Sequence, residues 1–107
     1  MEKDKILDKL SSMPLEALDR LKDQKLVELR QVLKDYGKAK DEEMNKRYQL
    51  RTHFINSGDS YNKAEQKLRA DPELFGLKKR IVALGALKES IKLECELINN
   101  FYWKAKN

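Results

Sequence analysis

A single histidine, His53, and a single cysteine, Cys95, supply the whole imidazole and thiol chemistry of this 107-residue chain. Cys95 falls at an apolar helical position, where a buried and inert thiol is the ordinary outcome. His53 stands beside Phe54 near the expected end of a helix, in a half-exposed structural role. A zinc site would have to draw its remaining ligands from carboxylates, against the Cys and His preference of that metal. Asp41-Glu42-Glu43 is the tightest acidic run, but successive helix positions point about 100° apart, so these carboxylates diverge and read as a solvated face. Glycine-rich phosphate loops, a GxSxG elbow and an HExxH pair do not occur. The residues therefore predict a protein that is not an enzyme, with no cofactor, no metal and no small-molecule substrate.

Charge is the stronger signal. Lys and Arg number 23 against 18 Asp and Glu, for a net charge of +5 and a pI near 9.3. Between Met44 and Val82 the bases are Lys46, Arg47, Arg51, Lys63, Lys67, Arg69, Lys78, Lys79 and Arg80, nine against four acids. The rest of the chain balances at fourteen against fourteen. Such a window suits a polyphosphate, because each cation near a phosphate releases condensed counterions. Tyr48, Phe54, Tyr61 and Phe75 are interleaved with the bases and have two readings: stacking platforms for unpaired bases, or members of a core stripe, whose phase Tyr48 and Phe54 match. The cations have a second reading too, as a solvated face that keeps helices soluble.

Phe101-Tyr102-Trp103 is the third feature. Three consecutive aromatics span about 200° of a helix and cannot share one core. Tyr102 fits the apolar seam and Phe101 its flank, leaving Trp103 partly outside. Trp103, with Phe101, is the first candidate for gripping a protein partner, since Trp is enriched at binding hot spots; docking onto the N-terminal helix or a sister subunit is the alternative.

These residues need elements to hold them. Charged residues make up 38% of the chain, above the roughly 25% of ordinary domains, with only 4 Gly and 2 Pro, a composition for long amphipathic helices. Residues 2–11 form a short helical signal with Ile6, Leu7 and Leu10 on one side. Ser12 is a candidate N-cap, Pro14 suits a first turn, and Glu16 and Asp19 favour the positive end of the helix dipole. Leu15, Leu18, Leu26, Leu29, Leu33, Tyr36, Met44, Tyr48 and Phe54 then recur near multiples of 3.6, predicting a long helix over 25–56 with a weak point at Lys22-Asp23-Gln24. The stretch 57–60 is a loop around Gly58, and Asp59 or Ser60 caps the next run, where Tyr61, Ala64 and Leu68 share a face. Asp71-Pro72-Glu73 repeats a start signal, so the segment 61–106 is kinked or broken near 71–72. Leu74, Leu77, Ile81, Leu84, Ile91, Cys95, Ile98 and Tyr102 alternate three and four apart, interrupted at Lys88, in a heptad seam. Leu87, Leu97 and Phe101 widen it.

The expected fold is all-α: a single helical domain over 1–107, in which an N-terminal helical segment (1–24) joins an elongated, coiled-coil-like antiparallel hairpin. Two helices bury little for their length, so the broad stripe of the last one calls for a partner: the N-terminal segment, or a second chain in a homo-oligomeric bundle, the preferred reading. No apolar run approaches the roughly 20 residues of a membrane span, and MEKDKILDKL lacks a secretory h-region. With one cysteine unable to close an internal disulfide, the expected location is cytoplasmic.

AEQKLRADPE, from Ala64 to Glu73, followed by a long heptad helix ending in aromatics, resembles small coiled-coil proteins of bacteriophage and prophage early or recombination modules, over about residues 45–103. The resemblance implies a phage-encoded accessory role in DNA metabolism within a bacterial host, and carries no binding residue with it. Lys25-Leu26-Val27-Glu28-Leu29 through Leu33 to Gly37 is similar to the first helix of the SAP-type DNA-binding module. That module then needs a loop, whereas Lys38 to Asn45 is helix-compatible. The functional expectation is a nucleic-acid-binding accessory factor that holds phosphates without reading sequence. The alternatives are a small inhibitor or adaptor of a host protein, and an assembly or scaffolding coiled coil.

Overall fold

The computed structural model describes residues 2–107, apart from the side chains of residues 2–4 and 6. They form α1 (Glu2–Ser11), α2 (Leu15–Asn56), α3 (Tyr61–Arg69) and α4 (Pro72–Lys106), with no strand among the described residues. The expected place of Ile6 on the apolar side of α1 lies outside the described side chains.

The junction of α1 and α2 differs from expectation. Ser12 does not cap α2: its hydroxyl donates to the Lys9 carbonyl at 3.0 Å, and the Ser11 hydroxyl donates to that of Asp8 at 2.9 Å. Both satisfy carbonyls that the end of α1 leaves unpaired. The Pro14 carbonyl accepts the first bond of α2, from the Leu18 N–H at 3.1 Å. From there α2 runs unbroken for 42 residues. The break expected at Lys22–Gln24 does not form, and the long helix begins at Leu15 rather than residue 25.

The other boundaries follow local chemistry. Gly58 turns the chain after α2 with φ of +104°, a conformation costly for residues bearing a Cβ. Of the two candidate caps, Ser60 serves α3, its hydroxyl accepting the Lys63 N–H at 3.3 Å. Asp71 caps α4, its carboxylate accepting the Leu74 N–H at 2.9 Å, with Pro72 in the first turn where a missing N–H is harmless.

The chain divides into two compact units, residues 1–32 with 87–107 and residues 33–86. In the first, Leu10, Leu18 and Ile98 form the core, with Met13, Leu21, Leu97, Phe101 and Tyr102 packed against it. The N-terminal segment thus covers the end of α4, one of the two ways its apolar stripe was expected to be met. Lys25 joins α2 to α4 through Glu94 at 2.6 Å, and the Lys22 ammonium lies 4.7 Å from the Tyr102 ring centre. In the second unit, Ala39, Ala64, Leu68 and Leu74 are buried. There Lys46 pairs with Glu73 at 2.9 Å, and a Cβ built on Gly85 would meet the Tyr36 ring at 3.4 Å.

Along α4 the positions of the expected seam are sheltered, Lys88 included, as are Leu97 and Phe101, whereas Leu87, expected to widen the stripe, is 47% exposed. Along α2 the match is partial. Leu18, Leu26, Leu29, Tyr36 and Phe54 of the expected stripe are sheltered, whereas Leu15, Leu33, Met44 and Tyr48 are exposed. One sheltered row runs through Leu18, Lys22, Lys25, Leu29, Val32, Tyr36, Ala39, Glu43, Lys46 and Leu50. These alternate four and three apart, as a strict heptad repeat does. The apolar residues expected to define this face obscured it, because several of its true members are charged.

Candidate nucleic-acid interface

All nine cations of the basic window fall in the unit of residues 33–86. Five are engaged by carboxylates. Lys46 meets Glu73; Arg47 bonds Glu43; the Arg51 Nε donates to Glu65 at 2.6 Å; Asp59 takes Lys67 at 2.5 Å and Lys63 at 3.9 Å. The fourth acid of the window, Asp71, is occupied as the α4 cap. Arg69, Lys78, Lys79 and Arg80 are exposed and hold no ion pair among the described residues. Uncommitted positive charge is therefore narrower than the sequence implied, centred on the start of α4 and the end of α3.

The aromatics of this unit divide. Phe54 is partly buried, with the Lys67 ammonium 5.2 Å from its ring centre. Tyr48, Tyr61 and Phe75 are 68%, 61% and 57% exposed. Tyr48 is thus off the core face, a correction to the phase read from the sequence. The Arg51 guanidinium lies 5.7 Å from the Tyr61 ring centre, and the Lys79 ammonium 4.6 Å from that of Phe75. Cations at this range are attracted to ring faces.

A surface groove in the same unit was not foreseen. Lys40, Glu43, Met44, Arg47, Lys78, Ile81 and Val82 line it. Glu43 is only 8% exposed, so the reading of Asp41-Glu42-Glu43 as a wholly solvated face holds for Asp41 and Glu42 but not for Glu43. The spacing of Ala39, Glu43 and Lys46 at four and three was the available signal.

At the C-terminal aromatics, Phe101 packs against the Leu10, Leu18 and Ile98 core, which leaves little of it for a partner. Trp103 is 48% exposed, edge-on to Tyr102 at 5.6 Å, with the Lys106 ammonium 5.1 Å from its ring centre. His53 is exposed in the last turn of α2, its ring 5.7 Å from that of Phe54, and its carbonyl accepts the Ser57 hydroxyl at 2.8 Å. Cys95 is half-buried, and burial pushes its thiol pKa up, opposite to the activation a nucleophile needs. No group of three or more His, Cys, Asp or Glu gathers as a metal site among the described residues, and none of the described helices is long and apolar enough to cross a membrane. The chain matches no protein-family model, no curated protein and no solved structure.

Proposed function

We propose that this is a non-enzymatic nucleic-acid-binding accessory protein, which holds the phosphate backbone without reading sequence. The observation that carries this reading is the division of charge in one compact unit. Every acid of the window is occupied by a cation or a helix cap, while Arg69, Lys78, Lys79 and Arg80 are exposed and hold no carboxylate among the described residues. Phosphates are the complement of such a surface.

In the fuller form of this proposal, α2 and α4 pair as an antiparallel hairpin. Contacts of Lys22 with Tyr102 and Lys25 with Glu94, and in the other unit of Tyr36 with Gly85 and Lys46 with Glu73, support opposite chain directions. The protein assembles with copies of itself and works in a bacterial cytoplasm, encoded by a phage or other mobile element. Titration of single- and double-stranded DNA at two salt concentrations tests the binding. Tight binding at low salt that weakens steeply as salt rises is expected; absence of binding at low salt, or indifference to salt, rejects the proposal.

Trp103, exposed beside two lysines, favours a second reading as an inhibitor or adaptor of a host protein. Capture from host lysate with the wild type and Trp103→Ala separates the two. Unchanged recovery with the variant removes Trp103 from that account.

A further inference from the structure

The geometry points to unpaired nucleotides as the preferred ligand of this surface, with Tyr48 and Tyr61 as the rings on which bases stack. This rests on the nucleic-acid reading above and adds the form of nucleic acid to it.

Tyr48 and Tyr61 are 68% and 61% exposed, although each belongs to a helix packed through its other face. Tyr48 stands one helical turn before Arg51 on α2, so the two side chains are neighbours on its surface. The Arg51 guanidinium in turn lies 5.7 Å from the centre of the Tyr61 ring, on a separate helix. Arg51 thus contacts Tyr61 and lies one turn from Tyr48, which places the two exposed tyrosines on one patch.

Arg51 is poorly suited to serve as a phosphate ligand there. Its Nε donates to Glu65 at 2.6 Å, which neutralises its charge and fixes its plane. The group acts as a spacer between two rings, while phosphate contacts fall to Lys78, Lys79, Arg80 and Arg69 of the same unit. Tyr61 is the first residue of α3, held by the Ser60 cap after the turn at Gly58. Its backbone is ordered before any ligand arrives, which lowers the entropic cost of stacking. A duplex keeps its base faces inside the stack and offers such rings little, whereas an unpaired base offers a whole face.

The test compares three probes by fluorescence anisotropy at low salt: a deoxyadenosine strand of about 20 nucleotides, longer than the site of one small module, an abasic strand of equal length, and a duplex. The base-bearing strand should bind about tenfold or more tightly than the abasic one, since each stacked base contributes measurably. The double variant Tyr48→Ser with Tyr61→Ser should erase that difference and leave abasic-strand and duplex affinities unchanged. Tyr48→Trp with Tyr61→Trp should restore it. Equal affinity for base-bearing and abasic strands, unmoved by either double variant, overturns the stacking proposal while phosphate binding stands. Failure of all three probes to bind overturns both.

Discussion

Glu43 illustrates how one residue can hide a face of a helix. It is buried on α2 and its carboxylate is bonded by Arg47, whose own side chain still reaches water. The two partners should therefore respond unequally to substitution. Arg47→Ala strands a buried carboxylate and should cost about 1–3 kcal/mol of stability. Glu43→Leu replaces the charge with apolar volume and frees a guanidinium that can solvate, so it should be neutral or stabilising. Urea denaturation of both variants checks the asymmetry. Lys25 makes a pH-dependent counterpart. Its hydrogen bond to Glu94 raises the ammonium pKa above the ordinary 10.5, outweighing the opposing effect of burial. Stability from a raised lysine pKa is complete below the unfolded value and is lost as pH climbs through the folded one. The melting temperature of the wild type should therefore fall more steeply above pH 10.5 than that of Lys25→Met.

At the scale of elements, glycines separate helix interior from turn. Gly37 and Gly76 lie within α2 and α4, and a Cβ at either meets nothing within 4 Å. Alanine at each should stabilise by about 0.5–1 kcal/mol, because the unfolded chain loses freedom and the helix loses nothing. Gly58 also has open space around it, but its φ of +104° makes Gly58→Ala destabilising by about 1 kcal/mol or more. Thermal melts of the three variants should therefore move in two directions although all three sites are equally roomy. The same reasoning explains why the α2–α3 turn was legible in Asn56-Ser57-Gly58-Asp59-Ser60, and why Gly37 did not end α2. The α4 seam was legible because nearly all of its members are apolar. The α2 seam was not, because Lys22, Lys25, Glu43 and Lys46 occupy it, Lys22 offset by the Tyr102 ring, Lys25 by Glu94 and Glu28, Glu43 by Arg47 and Lys46 by Glu73. Hydrophobic periodicity cannot register a charge whose burial is balanced by an ion pair or a ring.

For the molecule as a whole, the net charge of +5 is a poor guide to how many phosphates it can hold. Nine cations in the window would give a salt slope of about −6 on single strands at roughly 0.7 per phosphate contact. With Lys46, Arg47, Arg51, Lys63 and Lys67 engaged internally, only the other cations of the window are free to release counterions. A slope of about −3 is then expected, and it should flatten further in the variant Lys78→Glu with Lys79→Glu and Arg80→Glu. Affinity measured across a salt series reads both. A slope near −6 would mean that the internal ion pairs open when nucleic acid binds.

From its residues alone the chain determined an all-helical fold, the loop at 57–60, the break before Pro72 and the register of α4, because these depend on caps, proline and apolar spacing within a few turns. Only tertiary packing decided that α2 continues through Lys22–Gln24, which face of α2 is sheltered, and that α1 covers the end of α4. It also decided which cations remain uncommitted. Several of those outcomes turn on partners distant in sequence, Lys25 with Glu94 or Lys46 with Glu73, whose meeting no local pattern specifies, whereas Arg47 with Glu43 and Lys63 with Asp59 are pairs four residues apart.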